Sequence, residues 1–122
     1  MDEKSTTFAV IGADGSIGSA LTNILLDSNY QVARGVRNES DFAHSSAQTF
    51  GVDATSWDSI DAFFDAVESS MGPVYGVALC IGSILIKPAH LTQEREFEHT
   101  MDLNLKSAFG LVRSATKRMI KR

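Results

Sequence analysis

The chain has 122 residues, of which 43% are apolar and 21% charged, and its formal net charge is −4. This length allows one domain with one core, residues 1–122, and the acidic balance argues against general nucleic-acid binding. The single cysteine, Cys80, excludes an internal disulfide and is typical of a reducing compartment. The polar start MDEKSTT is unlike a signal peptide, and no apolar run approaches the roughly 20 residues of a membrane helix. We therefore expect a cytoplasmic protein without a membrane or nucleic-acid partner.

The first third of the chain alternates strand and helix patterns. The apolar run FAVI (8–11) ends in glycine and predicts a buried strand, and YQVARGV (30–36) predicts a second strand. Between them a helix is predicted over 17–26, because apolar residues recur there at helical spacing. Its predicted apolar face consists of Ile17, Leu21, Ile24 and Leu25. After the second strand, NESDFAHSS predicts a short helix or turn opened by Asn38.

The alternation continues to the end of the chain. QTFGV (48–52) predicts a third strand and PVYGVALCI (73–81) a fourth, the most apolar of the set. A helix is predicted between them over 57–69, opened by Thr55 and Asp58 as a capping pair. Its predicted apolar face consists of Ile60, Phe63, Phe64 and Val67. Residues 92–122 are predicted to be mostly helical, with one side formed by Leu105, Phe109, Val112, Thr116 and Met119.

Strand–helix alternation of this kind predicts an α/β fold with a doubly wound parallel sheet, partial and Rossmann-like. With right-handed crossovers the strand order is 3-2-1-4, and the sheet stops after strand four and the helices that follow it. The apolar run Gly76–Gly82 then lies at a free edge, because no strand pattern follows it. An uncharged open edge predicts association with another chain.

Three glycines, Gly12, Gly15 and Gly18, lie between the first strand and the first helix. Such a turn lets backbone amides converge on a phosphate at the positive end of a helix dipole, without a basic side chain. Glycine is needed where a side chain would block the ligand or where φ is positive. The same spacing also occurs in strand–helix turns that need glycine only for tight packing, and it lacks the Gly-Lys-Ser/Thr of a Walker loop.

The sequence resembles the short-chain dehydrogenase/reductase family, in register across all 122 residues. The family's opening turn has Gly, three variable residues and Gly-Ile-Gly, and here GADGSIG matches it at Gly12, Ile17 and Gly18. Ser16 replaces the middle glycine, with Gly15 beside it. The resemblance implies that a dinucleotide binds at this turn, through Gly12, Asp14, Gly15, Ser16, Ile17 and Gly18.

The resemblance also implies which dinucleotide binds. Family members that prefer NAD usually carry an acidic residue after strand two, whereas Arg37 stands here and suits the 2′-phosphate of NADP. A solvated loop arginine is the alternative for Arg37. Asp53 and Ala54 correspond to the element where an aspartate meets the adenine, although Asp53 and Thr55 could instead cap the next helix. Gly82 is the one residue that matches the family's Asn-Asn-Ala-Gly segment; Cys80 is read as a small buried hydrophobe.

The catalytic set of the family is incomplete in this chain. Asn104, in DLNLKSAFGLVRSATKRM, occupies the place of the family's tetrad asparagine, which kinks its helix and holds a water on the proton-relay path. The family also needs a serine and a Tyr-x-x-x-Lys pair, because a phenol transfers protons at neutral pH only beside a stabilising cation. Arg34 and Leu79 stand four residues after Tyr30 and Tyr75. No metal site is predicted.

Three functional hypotheses remain open from the sequence. The first is a truncated reductase-like chain that keeps an NADP-preferring half-site, with weak or lost cofactor binding and no catalysis of its own. The second is an interaction module that self-associates without a nucleotide. The third is one half of a split reductase whose catalytic half is another polypeptide. For all three we predict a homodimer, formed either through the strand-four edge, Gly76–Gly82, or through the C-terminal helices.

Overall fold

The computed structural model describes residues 6–38 and 42–121, and its central feature is a four-stranded parallel sheet. The strands are β1 (Thr7–Ile11), β2 (Gln31–Val36), β3 (Ala47–Gly51) and β4 (Val74–Leu79). Their order is β3-β2-β1-β4, and every neighbouring pair is parallel. The predicted doubly wound α/β fold and its strand order are therefore confirmed.

Helices connect and follow the strands. They are α1 (Ser16–Asp27), α2 (Trp57–Met71), α3 (Glu94–Met101) and α4 (Ser107–Ile120). A 3₁₀ turn precedes α3, and a π turn, Asp102–Lys106, joins α3 to α4 without a break in the helix. None of the helices in the described ranges is long and apolar enough to span a bilayer. Part of the predicted helix or turn after Asn38 lies outside the described residues; residues 42–46 contain a turn and no helix.

Because the strands are parallel and nearly in register, their carboxyl ends meet at one edge. Ile11 of β1 is opposite Gly35 of β2 on one side and Leu79 of β4 on the other. Two cores flank the sheet. On one face α2 and α4 pack through Ile60, Phe63, Phe64, Val67, Leu111 and Ala115, which confirms the predicted face of α2.

The predicted apolar face of α1 is wrong for two residues. Ile17 and Ile24 are 75% and 62% exposed, whereas Gly18, Thr22 and Leu26 are buried. A short side chain lets the helix axis approach the sheet closely, and Thr22 remains satisfied because its hydroxyl donates to the Gly18 carbonyl at 2.7 Å. Close approach, rather than hydrophobicity alone, therefore decides which face of α1 is buried.

The predicted capping pair of α2 is also wrong. Ser56 is the N-cap, and its Oγ accepts from the Ser59 amide at 3.2 Å. Thr55 instead donates to Asp53 from its amide and from its hydroxyl, at 3.0 and 2.6 Å. Asp58 lies in the first turn of α2, where a negative charge complements the helix dipole.

On the predicted side of the C-terminal helices, Leu105, Phe109, Val112 and Thr116 are exposed, and only Met119 packs against the core. The buried residues of α4 are Ser107, Gly110, Leu111, Ser114 and Ala115. Gly110 faces the Trp57 indole so closely that a Cβ would overlap the ring. Small residues again define the packed side, and Leu105, Phe109 and Val112 face solvent.

Candidate functional site

A cleft of about 340 Å³ opens at the carboxyl edge of the sheet, where β1 and β4 diverge to opposite crossovers. Open parallel sheets bind ligands at this topological switch point. Each of the four strands contributes the residues at or just after its end. The lining consists of Ile11, Gly12, Asp14, Gly35, Arg37, Val52, Asp53, Ala54, Thr55, Ile81, Gly82, His99, Asp102 and Leu103.

Gly12 begins the turn after β1 in a conformation that needs glycine. Its φ is +83°, in the region that L side chains rarely adopt. A Cβ there would lie 2.5 Å from Ile81 Cγ2 and 2.7 Å from the Cys80 carbonyl oxygen. The Gly12 amide donates to the Gly35 carbonyl at 2.8 Å, which fixes the turn between β1 and β2. A glycine at this position keeps the floor of the cleft open.

Gly18 and Gly15 have different roles in the same turn. A Cβ on Gly18 would overlap the carbonyl oxygen of Gly12, so α1 can reach this position only with glycine. Gly15 is the N-cap, has a φ of −79° and has space for a Cβ. The amides of Ser16, Ile17 and Gly18 have no acceptor among the described residues, as expected for the first turn of a helix. This helix end can therefore bind an anion.

Arg37 and Asp53 place opposite charges on the cleft wall, after β2 and β3. Hydrogen bonds from the Thr55 hydroxyl and amide lower the pKa of Asp53 below its ordinary value of 3.8, and the charges of Arg37 and Lys106 lower it further. The Asp53 amide donates to Ser59 Oγ at 2.9 Å. Asp53 is thus an ionised acceptor of fixed orientation. Arg37 is exposed and forms no ion pair with a described residue.

Asn104 lies in the π turn and holds the loop after β4. Its Nδ2 donates to the Thr100 carbonyl at 2.8 Å and to the Ser83 carbonyl at 3.0 Å, and its Oδ1 accepts from the Ser83 amide at 3.1 Å. A Cβ on Gly82 would lie 2.9 Å from that Oδ1. The helix is distorted at Asn104, and the side chain fixes the segment that contains Gly82.

The structure brings six of the predicted cofactor residues together in the cleft lining: Gly12, Asp14, Arg37, Asp53, Ala54 and Gly82. The four others, Gly15, Ser16, Ile17 and Gly18, lie outside the lining, in the adjoining end of α1. Sequence reasoning missed Thr55, His99 and Asp102 as lining residues. His99 lies in the last turn of α3 and Asp102 begins the π turn, so their proximity to the cleft depends on a chain reversal that the sequence pattern does not encode.

The two tyrosines lie outside the cleft. Tyr30 and Tyr75 pack edge-on against Phe8 near the amino ends of the strands, with ring centroids 4.9 and 5.6 Å from it. Lys87 lies outside the cleft lining and forms an ion pair with Glu96 at 2.9 Å. Burial raises the pKa of the Cys80 thiol. The described residues contain no group of three or more His, Cys, Asp or Glu that could bind a metal ion.

Comparison with models of protein families shows which family the chain belongs to. The family described as short chain dehydrogenase matches residues 6–122. The chain belongs to the short-chain dehydrogenase family. A comparison with curated proteins gives no match.

Solved structures of short-chain dehydrogenases share this fold. The chain is similar to sorbitol-6-phosphate 2-dehydrogenase of Erwinia amylovora, with 26% identity, a TM-score of 0.87 and coverage of 93% of this chain and 49% of that one. A short-chain dehydrogenase/reductase of Mycobacterium ulcerans has 21% identity and a TM-score of 0.86, and the match covers 99% of this chain and 49% of that one. Ligand-free aldohexose dehydrogenase of Thermoplasma acidophilum has 20% identity and a TM-score of 0.84, and the match covers 96% of this chain and 45% of that one. The chain therefore spans about half the length of the solved structures it matches.

Proposed function

We propose that this chain binds the adenosine and diphosphate part of NAD(P), with NADP preferred over NAD. The proposal depends mainly on the glycine turn. The backbones of Gly12 and Gly18 lie in contact there, and no side chain covers the cleft floor beside the unpaired amides of residues 16–18 in the first turn of α1. These amides would hold the diphosphate, because a helix N-terminus stabilises a negative charge. Asp53 and Ala54 would hold the adenine, and the backbone at Gly82 the ribose beyond it.

The preference for NADP rests on the charge after β2. Residues 35–37 include no carboxylate to accept from ribose hydroxyls, and Arg37 supplies a cation on the cleft wall. A guanidinium binds a phosphate through paired, charge-assisted hydrogen bonds. Asp53 is a competing anion on this wall, because the charge of Arg37 lowers its pKa. The 2′-phosphate of NADP would therefore bind beside Arg37.

We further propose that these 122 residues do not reduce a carbonyl by themselves. Bound NAD(P) would supply or accept a hydride, but a proton donor must also stand near the reacting oxygen. Neither tyrosine lines the cleft, and both contact Phe8 instead. Asn104 could hold a water only through a second hydrogen bond to its exposed Oδ1, since both Nδ2 hydrogens already donate to carbonyls. Binding without turnover is the expected behaviour.

Calorimetric titration of the purified chain tests the proposal. NADP and NAD are each titrated up to millimolar concentration, and adenosine 2′,5′-bisphosphate serves as a probe of the 2′-phosphate alone. We expect saturable binding with the affinity order NADP above NAD, and measurable binding of the bisphosphate. Absence of binding by both dinucleotides would contradict the proposal and favour an interaction module without a nucleotide.

A second candidate function is one half of a two-chain reductase. Among the described strands β4 pairs only with β1, so its other edge can accept a further strand. An apolar groove lies beside it, lined by Phe8, Ala9, Val10, Leu21, Leu25, Gly76, Val77 and Ala78. A polypeptide with the serine and Tyr-x-x-x-Lys of the family would be the complement. Mixing such a chain with this one and assaying NADPH-dependent carbonyl reduction tests it; inactivity of a stable mixed complex would contradict it.

A further inference from the structure

Arg34, in β2, is the only charged side chain that is buried among the residues the structure describes. It is 4% exposed, and its Cζ lies 4.1 Å from the ring centroid of Phe42. Nη1 donates to Thr49 Oγ1 at 2.7 Å, whereas Nε is buried without a hydrogen-bond partner. No carboxylate of the described residues lies within ion-pair distance of it. Because a guanidinium stays charged in a protein, β2 contains a buried cation without a carboxylate in contact.

The buried charge of Arg34 interacts through space with a carboxylate of the glycine turn. A buried charge is unfavourable unless an opposite charge balances it, because the interior of a protein solvates ions poorly. Burial accordingly lowers the pKa of Arg34 below its ordinary value, and the charge of Asp14 raises it. Asp14 is exposed and lines the cleft. The buried cation and this exposed carboxylate thus stabilise each other without an ion pair.

The backbone places Arg34 beside the glycine turn. The residue that follows it, Gly35, accepts from the amides of Gly12 and Ala13 at 2.8 and 3.3 Å. Alternate residues of a strand share a face of the sheet, so the side chain of Arg34 lies on the same face as that of Val36. Val36 packs in one core with Ala13 and with residues of α1. Arg34 is therefore on the face of the sheet that α1 and the glycine turn cover.

The carboxylate of Asp14 opposes the binding of a diphosphate at this turn. Asp14 directly precedes Gly15, the N-cap of α1, and the unpaired amides of residues 16–18. A negative charge at this position repels the diphosphate and so reduces the attraction by the helix dipole. The cleft lining includes two further carboxylates, those of Asp53 and Asp102, and one arginine. A further positive charge near the turn would offset the repulsion.

We propose that Arg34 is an electrostatic positioning residue of the diphosphate site, because its buried charge offsets that of Asp14 and so allows the glycine turn to bind an anion. This inference rests on the proposed binding of NAD(P) at the turn. Since the guanidinium is buried, salt screens its field less than it screens the field of an exposed side chain. Arg34 lies outside the cleft lining and acts on the diphosphate without contact, whereas Arg37 lines the cleft.

Calorimetric titration with NAD tests this role, since NAD carries the diphosphate but no 2′-phosphate. Arg34→Met removes the charge and keeps an apolar stem, and it should weaken NAD binding by about fivefold or more. Arg34→Lys, measured at pH 6 to keep the lysine protonated, should bind NAD within about twofold of wild type, because the charge is retained. Asp14→Asn should strengthen NAD binding, and Arg34→Met/Asp14→Asn should return to within about twofold of wild type, because both charges are then absent.

Thr49→Val is the matched control, because it removes the hydrogen bond to Arg34 and leaves the charge in place. Its affinity for NAD should equal that of wild type, and urea unfolding confirms that each variant is folded. The inference would be overturned if Arg34→Met bound NAD like wild type, if Arg34→Lys or Thr49→Val were as weak as Arg34→Met, or if Asp14→Asn did not strengthen binding. A wild type that binds neither NAD nor NADP would instead overturn the proposed function, and this inference with it.

Discussion

The side chain of Asn104 and the backbone of Ser83 exchange hydrogen bonds in both directions: Ser83 N donates to Oδ1 at 3.1 Å, and Nδ2 donates to the Ser83 carbonyl at 3.0 Å. The amide of one asparagine thus ties the loop after β4 to the π turn. Because this loop contains Gly82, the same tie shapes one wall of the cleft. An aspartate at position 104 could still accept from the Ser83 amide, but it could not donate to the Ser83 carbonyl.

Asn104→Ala should lower the free energy of unfolding by about 1–2 kcal/mol, since several partly exposed hydrogen bonds are lost together. Urea unfolding followed by circular dichroism measures the change. Asn23→Ala is the control, because Asn23 is exposed on α1, and it should change stability by less than about 0.5 kcal/mol. Equal effects of the two substitutions would contradict a bridging role for Asn104.

Gly18→Ala should destabilise the chain by several kcal/mol, because its Cβ would overlap the Gly12 carbonyl oxygen. Gly15→Ala, the same substitution three residues earlier, should cost less than about 1 kcal/mol, because φ is −79° and the space is open. Thermal unfolding of both variants measures the difference. A Gly18→Ala variant as stable as Gly15→Ala would show that α1 does not approach β1 as described.

Arg37→Ala should weaken NADP binding by about tenfold or more and leave NAD binding nearly unchanged, because only NADP carries the 2′-phosphate. Calorimetric titration of both dinucleotides measures the two affinities. Arg95→Ala is the control, since this exposed arginine of α3 lies outside the cleft lining. Equal weakening of NADP and NAD by Arg37→Ala would exclude the proposed phosphate contact.

The stability of the chain should depend on Asp61 at low pH. A hydrogen bond from Ser114 Oγ, at 2.7 Å, lowers the pKa of Asp61 below its ordinary value of 3.8, and the Arg113 charge acts in the same direction. A carboxylate with a lowered pKa stabilises the fold above its unfolded value and loses this contribution as the pH falls through its folded value. Protonation should therefore weaken the link between α2 and α4 below pH 3.8.

Ser114→Ala isolates this contribution. At pH 7 the variant should be less stable than wild type by about 1–2 kcal/mol, because the bond to a charged acceptor is lost. The difference in stability between wild type and variant should narrow as the pH falls below 3.8, because Asp61 becomes protonated and its bond to Ser114 no longer has a charged acceptor. Urea unfolding across the pH range measures it, with exposed Ser69→Ala as control. A difference that is constant down to pH 2.5 would contradict this assignment.

Chain-order patterns were enough to predict the sheet. Short apolar runs separated by helical periods determine parallel strands, and crossover handedness then determines the order 3-2-1-4. The position of the cleft follows from the same topology. Gly12 could be named from the glycine turn after β1, whereas the resemblance to the short-chain dehydrogenase/reductase family was needed to name Arg37 and Asp53, which follow β2 and β3.

The packed sides of the outer helices could not be predicted in the same way. Periodicity selects large apolar residues, yet Gly18 and Thr22 of α1 and Gly110 of α4 are buried because the helices approach their neighbours closely. The large apolar side chains of Ile17 and Phe109 are instead exposed to solvent. His99 and Asp102 were missed as lining residues because the loop after β4, which returns them to the cleft, has no periodic signal.

The most direct test of nucleotide binding at the first turn is a titration of ¹⁵N-labelled chain with NADP, followed by amide resonances. The account predicts saturable shifts for Ser16, Ile17 and Gly18 and for the cleft residues Arg37 and Gly82, whereas amides of the distant Tyr30 and Tyr75 stay fixed. Unchanged resonances at residues 16–18 at millimolar NADP would contradict the account, even if the nucleotide bound elsewhere on the chain.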